Sequence, residues 1–511
     1  MAPFRRGDLK LVFSSISFIG FFLPVTLLIY HICPVRARNG LLALVSLFFY
    51  AWGEPKYVLI MIFSTVFDYI NGLGIERMQQ KGKTGRGFLI LSIVGNLAIL
   101  GFFKYTDFAI SSVNKLASLS LPLAGIALPI GISFYTFQTM SYSIDVYRGD
   151  TKAQHNIIDF AAYVTMFPQL IAGPIVRYRT IADELEANKK GGRRSLRSEN
   201  FGLGMQRFIL GLGKKVLLAN QAGALWTEIS ALDHPSAALA WTGAVCYTFQ
   251  IYFDFSGYSD MAIGLGRMLG FTFPENFNYP YTCSSITDFW RRWHMTLGSW
   301  FREYVYIPLG GNQRGMAVQL RNIFIVWMLT GLWHGAAWTF VCWGLYYGLI
   351  LMLEKLFLLR WLDKLPGWLH HVYTLPVIVI GWVIFASDDF NMTGKLLSAM
   401  FGLNGAPLFD AQAGFYLRTC GCMLIIMAAS CTRVPRAIGS YMICVAAVPG
   451  PDEGPHEGPC DIASMTAPPE TAPAYEKLCD ILKNIYLLAV FGLSLVFLVS
   501  SSYNPFLYFR F

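Results

Sequence analysis

The chain has 511 residues, of which 55% are hydrophobic, 15% aromatic and 14% charged, with a formal net charge of +9. Soluble domains carry about a quarter charged residues, so this composition excludes a soluble enzyme and points to a polytopic membrane protein. The basic residues sit in short loops between apolar spans, the pattern of cytoplasmic loops rather than of a nucleic-acid surface.

The first apolar stretch follows Arg5, Arg6 and Lys10 and runs from Leu11 to Ile32 without a small-residue cleavage site. It reads as a retained membrane helix rather than a signal peptide. Further apolar spans follow near 40–52, 56–75, 88–105, 126–147, 157–176, 202–224, 238–266, 319–337, 338–358, 371–387, 415–448 and 480–502. On the ~20-residue criterion they give roughly ten to thirteen membrane segments, some of them bent or re-entrant. Gly53-Glu54-Pro55 separates two helices, and Phe167-Pro168 with Gly173-Pro174 interrupts another span. The basic loops at Arg36/Arg38, Arg77 to Arg86, Arg177 to Arg197 and Arg360/Lys364 are expected to face the cytoplasm.

Residues 275–318 differ from the rest, being aromatic, basic and punctuated by Pro280, Pro308 and Gly310-Gly311. The stretch Ser285 to His294 suits an interfacial or re-entrant helix, with Asp288 spaced to pair with Arg291 or Arg292. Residues 449–475 hold seven prolines and five acidic residues with no Lys or Arg, and read as an extended linker. The expected organisation is a membrane core over 1–448, that linker, and a C-terminal membrane helix within 476–511. Ten cysteines are scattered, mostly in apolar spans, and no Cys/His spacing suggests a metal site.

His334 is the most informative residue. From Asn322 to Leu353 the chain has no Asp, Glu, Lys or Arg, yet a histidine stands within Gly331-Leu332-Trp333-His334-Gly335. An ionisable group at that depth is costly and marks function by default. Imidazole suits proton abstraction from a hydroxyl and its return to a leaving group. His294 lies in similar Trp-rich text but also fits an interfacial residue beside Arg291 and Arg292. His31, His155, His234, His370, His371 and His456 read as solvated or interfacial. Asp254 and Asp260 occupy an otherwise apolar span with Ser256, Tyr258 and Ser259. They fit helix-packing glue and a substrate or proton path equally well.

The ordered text of the chain resembles the membrane-bound O-acyltransferase family, and within it the bacterial branch of the alginate O-acetylation membrane subunit. The matching motifs are Phe253-Asp254-Phe255-Ser256-Gly257-Tyr258-Ser259-Asp260, Glu275-Asn276-Phe277 and Phe289-Trp290-Arg291-Arg292-Trp293-His294. Leu309-Gly310-Gly311-Asn312 and Gly331-Leu332-Trp333-His334-Gly335 follow. Upstream, Leu128-Pro129-Ile130-Gly131 and Phe167-Pro168-Gln169 also match, as does Tyr503-Asn504-Pro505-Phe506 at the end. The acidic linker has no counterpart in the family pattern.

The resemblance implies an all-α polytopic fold with a re-entrant core and a catalytic pair, His334 with His294 in support. It implies an acyl donor, acetyl-CoA or a carrier-bound acyl group, and a polysaccharide acceptor such as alginate, cellulose or peptidoglycan. Tyr258, Asn276, Trp290, Arg291, Arg292 and Trp333, with Asp254 and Asp260, are candidate substrate-binding positions. An exported acetyltransferase partner and a bacterial inner-membrane location are also implied. The competing readings are a transporter using Asp254, Asp260 and His334 as a proton relay, a structural assembly subunit, and a lysophospholipid acyltransferase with a long acyl tunnel.

Overall fold

In the computed structural model, the described residues are 12–186, 196–435, 473–500 and Leu507. Among them every regular element is helical. Seven helices are long and apolar enough to cross a membrane: Val58–Gln80, Arg86–Ala117, Met316–His334, Trp338–Leu362, Gly367–Ala386, Ala411–Ser430 and Asp480–Ser500. Large apolar side chains on their outer faces, among them Leu59, Val94, Phe324, Leu349 and Leu488, are exposed. That is a lipid-facing surface, since hydrocarbon solvates such side chains as well as protein does.

The chain therefore is a multi-pass membrane protein. Fewer helices pass the length and apolarity criterion than the apolar spans of the sequence suggested. Several spans form shorter or more polar helices held inside the protein. Ile132–Arg148 carries Thr136, Gln138, Thr139, Ser141, Ser143 and Asp145, all buried. The span at 157–176 breaks as expected, into Ile157–Thr165 and the single turn Phe167–Leu170. Most of the 449–475 linker lies outside the described residues, as does Tyr503 to Phe506. The last helix begins at Pro473.

The centre of the fold is the 32-residue helix Ala237–Met268, buried along nearly its whole length. It lies against Ser198–Gly213 through two glycine pairs. A Cβ on Gly211 would stand 2.6 Å from the Gly257 carbonyl oxygen, and one on Gly264 2.5 Å from that of Gly204. Both pairs are seven residues apart along their helices, so the backbones meet over two turns. Met316–His334 and Trp338–Leu353 cross in the same way at Gly331 and Gly344, where backbone atoms of the other helix fill the space of a side chain.

The expected interfacial element at 285–294 is a short helix, Ile286–Arg292, whose N-terminus is held from below by buried Glu354. The Glu354 carboxylate accepts from the backbone N–H of Ile286 at 2.7 Å and of Thr287 at 2.8 Å, and from the Thr287 hydroxyl at 2.6 Å. A carboxylate satisfies the orphan N–H groups of a helix start and complements its dipole. Asp288 pairs with Arg292 at 2.9 Å. Arg291 is exposed.

Candidate active site

His334 is the last residue of the Met316–His334 helix, which ends where Gly335 turns extended. His334, Lys104 and Ser387 lie well along their chain segments from the basic residues near the starts of Met316–His334, Arg86–Ala117 and Gly367–Ala386. The imidazole is boxed by aromatic edges: Trp333, Trp343 and Phe385 lie 4.9, 5.0 and 5.3 Å from it, centroid to centroid, each near perpendicular. Only 8% of the residue is accessible, and that surface lines a cavity of about 70 Å³. Its other walls include Ile130 to Phe134, Ile171 and Trp333. A larger cavity of about 290 Å³ adjoins, walled by Gly335 to Ala337, Thr339, Phe340, Phe385, Ser387 and Asp388. Lys104 and Leu128 belong to both cavities.

His294 arrives from the other side of the same aromatic box. Its ring centroid is 6.2 Å from that of Trp333 and 4.7 Å from that of Phe255. The residue sits between Ile286–Arg292 and Met295–Phe301 with φ +45°, ψ +52°. A non-glycine residue held in that left-handed region is uncommon and clusters at functional sites.

The histidine's tautomer follows from its neighbours. Asn276 Oδ1 accepts from the Thr296 backbone N–H at 3.3 Å and from the Thr296 hydroxyl at 2.9 Å. A backbone N–H can only donate, so the atom facing it is the amide oxygen. The His294 Nδ1, 3.0 Å from that oxygen, therefore carries the proton. The Nε2 lone pair is left as an acceptor, buried and with no hydrogen-bond partner among the described residues. Asn276 itself is fixed by donating to Ser259 at 3.1 Å.

The structure brings together some of the residues singled out in the sequence and separates others. His334, His294, Trp333 and Asn276 form one cluster. Trp290 reaches it through Trp343, 5.6 Å away, within an aromatic group that includes Trp327, Tyr347 and Trp382. Asp254 and Asp260 instead face the Ser198–Gly213 helix and the π-turn after it. Asp254 pairs with Lys215 at 2.6 Å, both side chains almost fully buried, and accepts from the Leu507 backbone N–H at 2.9 Å. Asp260 pairs with Arg207 and with Lys214, and Arg207 also binds Glu275. The Tyr258 ring stacks on Phe13 at 4.6 Å.

On the basic-loop side, Glu303 binds Arg177 at 2.6 Å and also Arg179. Burial opposes ionisation of Glu303, but the two guanidiniums prevail and hold its carboxyl below the usual range.

Sequence reasoning passed over Lys104 and Tyr105 and gave no role to Ser133. Lys104 donates to the backbone carbonyls of Trp333 and His334, and Tyr105 to that of Leu332. The signal was available: Lys104 is a lone cation in the apolar text Phe102-Phe103-Lys104-Tyr105, the same kind of misfit that drew attention to His334.

Comparison with known proteins matches residues 151–391 to the membrane-bound O-acyltransferase family, a range that contains both histidines. A protein of Pseudomonas aeruginosa named "Probable alginate O-acetylase AlgI" is 40% identical over 98% of this chain and 100% of its own length. The peptidoglycan O-acetyltransferase of Helicobacter pylori is 37% identical over 78% of this chain and 81% of its own. The teichoic acid D-alanyltransferase of Bacillus subtilis is 30% identical over 51% of this chain and 69% of its own.

Proposed function

The chain belongs to the membrane-bound O-acyltransferase family, and from that membership we propose that it moves an acetyl group from a cytoplasmic thioester donor to hydroxyls of a cell-envelope polysaccharide. The donor is acetyl-CoA or a carrier-bound acetyl group. The location is the inner membrane of a bacterium, and an exported acetyltransferase partner takes part in delivery to the polymer. The full-length likeness to a protein named for alginate makes an alginate-like acceptor the first choice, ahead of cellulose and peptidoglycan.

The observation that carries this reading is His334 on the wall of a small cavity that adjoins a larger one. A cavity of about 150 Å³ holds one benzene, six heavy atoms. On that scale the inner space of about 70 Å³ takes roughly three heavy atoms, the size of an acetyl group. This favours short-chain transfer over lysophospholipid acylation. The larger cavity, on the side away from the basic loops, suits the approach of a hydroxyl acceptor.

In the proposed step, His334 takes the proton of the acceptor hydroxyl as its oxygen attacks the thioester carbonyl carbon. The tetrahedral adduct then expels the thiolate, which recovers the proton from the imidazolium. Holding both reactants in one dry site supplies much of the rate. His294, with its Nδ1–H committed to Asn276, offers only a lone pair. It orients an O–H or N–H group beside His334 and donates nothing to the oxyanion. Trp333 and Trp290 shape the box, while Arg291, exposed beside the Arg292–Asp288 pair, is placed for contact with an anionic donor or lipid. The rival transporter reading needs Asp254 and Asp260 as proton carriers. Their commitment to Lys215, Arg207 and Lys214 disfavours it.

Mass spectrometry of envelope polymers tests the proposal. Cells carrying the chain should show O-acetylation of one glycan that is lost on deletion of the gene and stays lost when His334→Ala is supplied at normal abundance. Unchanged acetylation of every envelope glycan after deletion sinks it.

A further inference from the structure

We infer that Lys104 is a positioning residue for the reaction, acting by clamping the end of the helix that carries His334. Lys104 belongs to the Arg86–Ala117 helix, before residues 151–391 that match the family model. The inference rests on the reading of His334 as the proton-transfer residue.

An α-helix leaves its last carbonyls without partners inside the helix. Trp333 and His334 are buried, so these carbonyls need donors from the protein. Here the final three carbonyls of Met316–His334 are served by two consecutive residues of another helix. Tyr105 Oη donates to the Leu332 carbonyl at 2.7 Å. Lys104 Nζ donates to the Trp333 carbonyl and, at 3.2 Å, to that of His334. A cation at this end also complements the helix dipole.

The third ammonium hydrogen is directed to Ser133 Oγ at 3.4 Å. Three N–H groups meet three acceptors, so none is left over for a substrate oxygen. Lys104 walls both cavities and is only 8% exposed, yet its hydrogen bonds are spent on protein. Its effect on the reaction passes through His334. Packing against Trp338–Leu353 and the aromatic box holds this end sideways, but its own hydrogen bonding is weak: Gly335 is extended, and its N–H reaches the Gly331 carbonyl only at 3.4 Å. Without the clamp, the final carbonyls lose their donors and the last turn can shift within its packing, which moves the imidazole relative to the bound thioester.

The test uses the full chain in lipid nanodiscs with acetyl-CoA and a glycan acceptor, comparing the parent with His334→Ala, Lys104→Met, Lys104→Arg and Tyr105→Phe. Folded protein is counted by size-exclusion and thermal unfolding. Lys104→Met should stay folded and lose kcat on the order of 100-fold, the loss expected for about 1 Å of misplacement, with donor KM unchanged. Lys104→Arg, which keeps the charge and the donors, should recover most of that loss. A folded Lys104→Met with parental kcat overturns the inference, as does a loss explained wholly by a smaller folded fraction. Should Lys104→Met fail to accumulate, Tyr105→Phe decides. A several-fold fall in kcat at constant KM supports the clamp, and parental kcat refutes it. An active His334→Ala would defeat the reading of the site itself. An inactive His334→Ala beside an active Lys104→Met would defeat only the clamp.

Discussion

His334→Gln should fold normally and lose acyl transfer by roughly 10²–10⁴-fold, the contribution of a positioned general base. Glutamine fills much of the aromatic box and keeps a polar end at the cavity, so packing around Trp333, Trp343 and Phe385 is little disturbed. What it lacks is an imidazole nitrogen to take the proton of the attacking hydroxyl and return it to the leaving thiolate. The loss should fall on kcat, because the imidazole is asked to act in the transition state rather than in donor binding. Purified variant and parent, compared at saturating donor, decide the matter. A variant within a few-fold of the parent in kcat would remove His334 from the chemistry.

Asp254→Ala should destabilise the fold by about 3–5 kcal/mol, the cost of removing one partner of a buried ion pair. The side chains of Asp254 and Lys215 are 3% and 2% exposed and meet at 2.6 Å. The pair ties the central Ala237–Met268 helix to the π-turn Lys214–Ala219. The same carboxylate also accepts from Leu507, so the substitution frees a backbone N–H as well. Unfolding in mixed micelles measures the loss. The double variant Asp254→Ala/Lys215→Met should regain a large part of it, because an apolar pair of similar volume avoids the buried charge. A single variant as stable as the parent would mean that this pair contributes nothing to holding the core.

These two effects show what the sequence could and could not reveal. His334 was legible because a titratable residue in a charge-free span is costly and local text exposes it. The break at Phe167-Pro168 was legible through its proline and glycine, and the short helix within Ser285 to His294 through the spacing of Asp288 from Arg291 and Arg292. Asp254 and Asp260 were equally conspicuous, but a carboxylate in an apolar span reads the same as a proton carrier or as half of an ion pair. Their partners, Lys215, Arg207 and Lys214, lie about 40–55 residues away and meet them only through the packing of two helices at paired glycines.

Lys104 illustrates the same limit at longer range. It meets the His334 helix 229 residues later in the chain, and helical periodicity carries no information about that contact. The tautomer of His294 was out of reach as well, since it depends on Thr296 and Ser259 fixing the Asn276 amide. Among the described residues, seven helices meet the length and apolarity criterion for a crossing, while other apolar spans of the sequence form shorter, broken or more polar helices. Ala237–Met268 is apolar and buried in protein along nearly its whole length, and burial in protein and in lipid leave similar marks on composition.

The central claim is that a thioester bond is broken and its acyl group delivered to a hydroxyl at His334. Its most direct test places the purified chain in proteoliposomes with a thioester donor labelled in the acetyl carbon, supplied both as acetyl-CoA and in carrier-bound form. A glycan acceptor is enclosed on the opposite side. Release of free thiol in step with labelled ester on the acceptor, both abolished by His334→Gln, is the result expected. Passage of intact donor across the bilayer with its thioester unbroken would contradict the account.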